Sequence, residues 1–316
     1  MYNLIRFYNQ NRKKIFKIIL IIVLIIAGIQ LLNYFAKRGS SSKNDNIMVN
    51  ADYYGKEVIS DKSAISGNSV PNKKLKNETD VIKEFFDFCN KGDIEDAYML
   101  ITDECKDEMY PSIDDFKNIY YLYVFNGEKK SYTIENWSGD IYQVEITNDI
   151  LSTGKLDNSE TKQDYVTVVE KDNEYKLNIN SYVCRKDLNK TTNDKNIKIT
   201  VQSIDKYMDY EIYNLYIEND SENDIMLDSG DDTKSVYLMD RNEHKYYFYN
   251  NEIIENKLLV KSKFKNSLKI KFMSSYSSSK NIKKIVFSKM ILNYGEYKKL
   301  DDVKQFDEFY EYRVNV

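Results

Sequence analysis

The chain has 316 residues, with 46 Lys and Arg against 50 Asp and Glu, one histidine and three cysteines. Residues 1–43 hold eight Lys/Arg and no Asp or Glu; subtracting those eight from 46 leaves 38 basic against 50 acidic residues from 44 onward, a net of −12. So acidic a region argues against nonspecific nucleic-acid binding, and three scattered cysteines without a C-x-x-C exclude a disulfide framework or a zinc site.

The first element is aliphatic. Ile18 to Ala36 carries no charge, and thirteen of its nineteen residues are Ile, Leu, Val or Phe. As a helix it is about 28 Å long, close to the roughly 30 Å of a bilayer core. Those side chains favour insertion by about 4–8 kcal/mol, which outweighs neutral Gln30 and Asn33. Arg6, Arg12, Lys13, Lys14 and Lys17 precede it, and Lys37, Arg38 and Lys43 follow. The heavier N-terminal charge predicts a cytoplasmic tail over 1–17, a transmembrane helix over 18–36 and an extracellular remainder. A cleaved signal peptide would have a shorter apolar run and an A-x-A site, whereas this run ends Tyr34-Phe35-Ala36-Lys37-Arg38.

Residues 37–78 read as a flexible linker, Ser-, Asn- and Lys-rich without an apolar period. Some forty such residues reach about 35 Å on average. Order is expected near Asp80, where Val81, Ile82, Phe85, Phe86 and Cys89 fall on one helical face. Gly92 suits a C-cap, and Asp93 can cap a second helix bearing Ile94, Ala97, Tyr98 and Ile101. Ser112-x-x-Asp115 resembles a capping box for a third, with Phe116, Ile119, Tyr120 and Tyr123 on one face. The period then drops to two at Tyr142, Val144 and Ile146. Strands over Tyr165–Val169 and Tyr175–Val183 follow, joined across Lys171-Asp172-Asn173-Glu174.

Phe85-Phe86, Gly92-Asp93 with Ala97-Tyr98, and the strand Tyr175-Lys-Leu-Asn-Ile-Asn180 together resemble the cone-shaped nuclear-transport-factor-2-like fold. The resemblance implies an α+β domain over 79–186, of the kind found in membrane-anchored scaffolds of bacterial conjugation and type IV secretion. After the polar stretch Asn189–Asn196, alternation returns at Ile197-Ile199-Val201 and Tyr213-Leu215-Ile217. Further strands are predicted at Ser235–Asp240, Lys245–Tyr249, Leu268–Met273 and Ile282–Ile291. About seven short strands suggest an all-β sandwich over 195–316. With Tyr216-Ile-Glu-Asn219 closing a strand before a loop, it resembles the immunoglobulin-like extracellular domains of Gram-positive membrane proteins.

Candidate chemistry is sparse. The cone fold hosts enzymes through Asp/His pairs, but the single histidine, His244, lies in the other domain. Asp103, Glu104 and Asp149 could serve only an acid-only mechanism, against the plainer reading of solvated carboxylates. Asp228-Ser-Gly-Asp-Asp232, with Asp220, Glu222 and Asp224 near, has oxygen ligands for calcium but no EF-hand spacing, and reads more plainly as turn chemistry. Lys261, Lys263, Lys265, Lys269 and Lys271 share one parity, with Val260, Phe264, Leu268, Ile270 and Phe272 on the other. That predicts a solvent-facing lysine row, for edge protection or for polyanion binding. Tyr246, Tyr247, Phe248 and Tyr249 are interaction aromatics or alternating core. Cys89, Cys105 and Cys184 read as buried small hydrophobes, with a Cys89–Cys105 bridge as the alternative.

These readings converge on a non-enzymatic, single-pass membrane protein with two extracytoplasmic interaction domains and no cofactor or metal. Its expected partners are the membrane, other envelope proteins and a second copy of itself, with no nucleic acid. A scaffold of an envelope complex such as a Gram-positive conjugation machine is the leading function. An accessory protein binding a cell-wall polymer or peptide is the alternative, and a pocket enzyme trails.

Overall fold

Helix α1 (Asn72–Lys91) buries Leu75, Val81, Ile82, Phe85, Phe86 and Cys89, the face set by its three- and four-residue spacing. The chain is described here by a computed structural model covering residues 63–65, 71–148, 161–230, 234–247, 258–300 and 306–316. Gly92 closes α1 at φ +82°, where a side chain would be strained. Short helices α2 (Ile94–Met99) and α3 (Asp103–Met109) follow. Then α4 (Ile113–Phe116) passes through a π-helical turn, Lys117–Tyr121, into α5 (Leu122–Val124). Ser112 and Asp115 form the reciprocal capping pair at α4, whereas Asp93 makes no capping bond to α2.

These helices cover one face of an antiparallel meander, β1 (Lys130–Ser138), β2 (Ile141–Asn148), β3 (Lys162–Lys171) and β4 (Glu174–Asn178). Phe85, Phe86, Phe116 and Tyr120 fill the space between the layers against Tyr132, Tyr142, Val144, Val166 and Leu177. Asp172 and Asn173, both at positive φ, turn β3 into β4. The strand expected over Tyr175–Val183 is broken by a second such turn at Asn180-Ser181. Both of its N–H groups are held by buried Asp164, at 3.1 and 3.0 Å.

Strand β5 (Tyr182–Asp194) then runs through the polar stretch expected to divide the chain into separate domains. It joins β6 (Ile197–Tyr207), β7 (Tyr210–Asn219) and β12 (Lys265–Met273) in a sheet ordered β12-β7-β6-β5. The facing sheet, β10-β9-β13-β14, contains β9 (Val236–Asp240), β10 (Lys245–Tyr247), β13 (Ile282–Met290) and β14 (Tyr310–Asn315). Ile199, Val201, Tyr213, Leu215, Ile270 and Phe272 from the first meet Leu238, Ile285, Phe287 and Tyr312 from the second. A small pair, β8 (Ile225–Met226) with β11 (Leu259–Val260), and one turn of helix, α6 (Tyr294–Tyr297), complete the second lobe. Both lobes belong to one compact unit, Tyr54–Val316. Tyr182 and Tyr207, from β5 and β6, are members of the first lobe's core.

The expected fold class, a transmembrane helix followed by an α+β cone and a separate immunoglobulin-like sandwich, is corrected by this arrangement. About 47% of the described residues are strand and 23% helix, in antiparallel sheets. The physical reason is β5, which feeds from the first core into the second sheet without a linker. No helix among the described residues is long and apolar enough to cross a membrane. The stretch Ile18–Ala36 lies outside those residues, as do the tail over 1–17 and most of the linker. Of that linker, Ser63–Ile65 lies on the edge of β1: Ala64 N–H donates to Asn136 O (2.9 Å) and Ile65 N–H to Trp137 O (3.3 Å). Helix α1 begins well before Asp80.

Candidate functional site

A cleft of about 690 Å³ opens where α3 borders the outer face of the β12-β7-β6-β5 sheet. Its size is in the range of small-molecule sites. Strand alternation builds the floor: Leu215 and Tyr213 on β7, with Leu268 and Ile270 on β12, turn into the core. Their neighbours Asn214, Ser267, Lys269 and Lys271 face out. Asp107 and Glu108 on α3 form the wall.

Four charged groups of this cleft, Arg185, Lys269, Glu108 and Asp205, are occupied with one another. Asp205, on β6 and 0% exposed, accepts from Arg185 Nε (2.7 Å) and Nη2 (3.1 Å). It also accepts from Tyr182 Oη (3.0 Å) and Asn214 Nδ2 (2.7 Å). Arg185 Nη2 also reaches Glu108 Oε2 at 3.0 Å, and Lys269 Nζ donates to the same carboxylate at 2.8 and 3.1 Å. Hydrogen bonding to Asp205 raises the Arg185 pKa, against the opposing effect of burial. Burial, and then the charge of Asp205, raises that of the Tyr182 hydroxyl. Lys271 sits over the ring of Tyr210, 3.9 Å from its centroid, and Tyr207 stacks on Tyr210 at 4.2 Å. The side chains of Asp107, Gln202 and Ser267 make no hydrogen bond to another described residue.

Over β12 the expected parity is kept, with Lys265 and Lys269 exposed and Lys271 half-buried on one face and Leu268, Ile270 and Phe272 buried on the other. Ahead of β12, a turn at Ser262-Lys263, with Lys263 at φ +61°, interrupts the alternation and leaves Phe264 61% exposed. Lys261 is exposed, Lys263 pairs with Glu222 (2.7 Å), Lys265 with Glu218 (2.6 Å) and Lys269 with Glu108. Of the aromatics, Tyr246 donates to Asp240 Oδ2 at 3.3 Å and Tyr247 packs edge-on to Tyr237. Phe248 and Tyr249 lie outside the described residues.

The remaining candidates are scattered. His244 stands on the exposed β9–β10 turn, 3.2 Å from Asp240 Oδ2. Asp228 is buried and accepts from Ser235 Oγ (2.5 Å) and Gly230 N–H (3.2 Å), which is turn chemistry. Asp224 accepts from Ser262 N–H, Glu222 is taken by Lys263, and Asp231 and Asp232 lie outside the described residues. Among the described residues no group of three acidic, His or Cys side chains gathers for a metal. Asp103 and Glu104 are exposed, and Asp149 lies outside the described residues. Cys89 and Cys105 are buried free thiols and Cys184 a half-buried one; burial pushes the Cys105 thiol up to about 12.

One carboxylate in the first lobe's core went unnoticed in the sequence. Asp164 is buried and accepts from Tyr120 Oη at 2.8 Å besides the two N–H groups of the Asn180-Ser181 turn. Burial raises its pKa from the ordinary 3.8, and those donors only partly offset the rise. A carboxyl that holds its proton more tightly when folded stabilises the fold most below its unfolded pKa. That contribution is lost as pH rises through the folded value. Asp164→Asn is therefore expected to remove the part of the stability that declines as pH rises above the ordinary 3.8, measured by urea unfolding of both proteins at each pH. An unchanged slope would contradict this assignment.

No protein-family model matches the sequence, and no curated protein matches it. Among solved structures, the crystal structure of the yjhA protein from Bacillus subtilis is similar at 14% identity, with a TM-score of 0.28, over 41% of this chain and 97% of that one.

Proposed function

We propose that the protein is a non-enzymatic binding protein of the cell envelope, held at the membrane by its apolar N-terminal stretch and presenting two lobes as one stiff body. A scaffold or assembly component of an envelope complex, such as a Gram-positive conjugation machine, is the reading we favour. The observation that supports it is the joining of the lobes: β5 passes through both, and Arg185 links Glu108 of one to Asp205 of the other. A fixed relation between surfaces suits a component that sets the spacing of its neighbours, because little ordering entropy remains to be lost on assembly. A diffusible-substrate enzyme gains nothing from either the anchor or the stiffness.

Photo-crosslinkers placed at Tyr123 and Phe264, both exposed and away from the cleft lining, test this in intact cells. The expected result is that the protein fractionates with membranes and that each site captures a defined envelope protein. Recovery in the soluble fraction, or capture of wall polymer alone, would overturn the scaffold reading.

A further inference from the structure

We propose that the cleft beside α3 is a binding site for a neutral oligosaccharide, an inference that rests on the non-enzymatic binding reading above. The argument begins with charge. Arg185 and Lys269 are engaged by Glu108 and Asp205, and Lys271 lies over Tyr210. An anionic ligand would have to displace carboxylates already in place, so the cleft favours an uncharged one.

The groups left over have a common character. Gln202 and Asp107 have planar side-chain ends, Ser267 adds a hydroxyl, and none of the three is bonded to another described residue. Asn214 spends its Nδ2 on Ser203 Oγ and Asp205, and its Oδ1 faces no donor among the described residues. Amides and a hydroxyl can give and take hydrogen bonds and a carboxylate accepts them, which matches vicinal sugar hydroxyls, each both donor and acceptor. Tyr216 extends the same face, two residues along β7 from Asn214 and paired across the sheet with Ser267 and Thr200. Its half-buried ring, with the mobile end of Lys265 5.9 Å from its centroid, can present an apolar plane to the C–H face of a pyranose once that side chain swings aside.

A peptide strand fits less well. The floor is a sheet face, and β7 lies between β12 and β6 with its backbone groups in both ladders. Strand addition would have to use the outer edge of β12, and the cleft lies on the face of the sheet, so recognition here is left to side chains.

The test is calorimetric titration of purified full-length protein with cellotetraose and with N-acetylchitotetraose, using poly-L-glutamate as the anionic comparison. We expect saturable binding of one tetrasaccharide with a dissociation constant of about 1 mM or tighter, weakened about tenfold or more in an Asp107→Ala/Gln202→Ala variant that melts like the parent. The affinity should change little with salt. Failure of both tetrasaccharides to bind, undiminished binding by the double variant, or tighter binding of poly-L-glutamate would each overturn the proposal. The two readings separate cleanly. A tetrasaccharide bound and then cleaved, seen by mass spectrometry, keeps the site and removes the non-enzymatic reading. Absent sugar binding alongside cross-linked membrane partners does the reverse.

Discussion

Replacing Arg185 with Met is expected to destabilise the protein by about 3–5 kcal/mol, because it leaves the Asp205 carboxylate buried without a counter-charge. Asp205 has no exposure, and two of its four hydrogen bonds come from this guanidinium. Tyr182 and Asn214 remain as donors, but neither carries charge. By contrast, Lys269→Met removes an exposed partner of Glu108 and is expected to cost no more than about 1 kcal/mol. Combining Arg185→Met with Asp205→Asn should recover more than half of the loss, since the amide still accepts and no ion is stranded. Urea unfolding of the two single variants and the double one measures this. A loss in Arg185→Met no larger than in Lys269→Met would show that the pair does not hold the lobes.

Asn219→Leu should be nearly as damaging, at about 3–5 kcal/mol, for a different reason. The side chain has no exposure, and its Nδ2 donates to the carbonyls of Asn223 (2.8 Å), Val260 and Lys261 (both 3.1 Å). Its Oδ1 accepts from Ser221 N–H at 3.1 Å and from Ser221 Oγ at 2.6 Å. Leucine matches the volume and satisfies none of these, at roughly 1–3 kcal/mol for each group left dry. One amide thus ties the end of β7 to the turn after it and to the chain leaving β11. The melting temperature is expected to fall by about 6–20 °C. Asn219→Ser, smaller but polar, lets water enter and should lose less. A Leu variant that melts within a degree or two of the parent would mean these bonds are replaced at little cost.

Elements that bury a regular face were legible in the sequence. The period of Val81, Ile82, Phe85, Phe86 and Cys89 marked α1, and the alternation of Tyr213, Leu215 and Ile217 marked β7. Elements held by hydrogen bonds rather than burial were not. Helix α3 buries only Cys105 and is started by Thr102 Oγ1, which accepts from Cys105 N–H. The outer half of β5, Asn189–Asp194, is polar and largely exposed, and forms because β6 pairs with it. Lys263 at positive φ interrupts the extended chain ahead of β12, and lysine carries no signature of that conformation. The cleft draws on residues from Asp107 to Lys271, so no local window contains it. One signal was available. Between Arg38 and Arg241 every basic residue is lysine except Arg185, and a lone arginine in a lysine-rich chain marks a place where the planar fork is needed.

The attachment of Ser63–Ile65 to β1 has a mechanical consequence. Tension on the chain upstream of Ser63 meets the Ser63 Oγ bond to Trp137 O and the two backbone bonds at Asn136 and Trp137. Next in line is the ion pair between Lys74, in the first turn of α1, and Asp140, in the β1–β2 turn. The contacts sit in series, so under a pull they release successively, as a zip does. The entry point is therefore expected to give way before the aromatic core beneath α1 is disturbed.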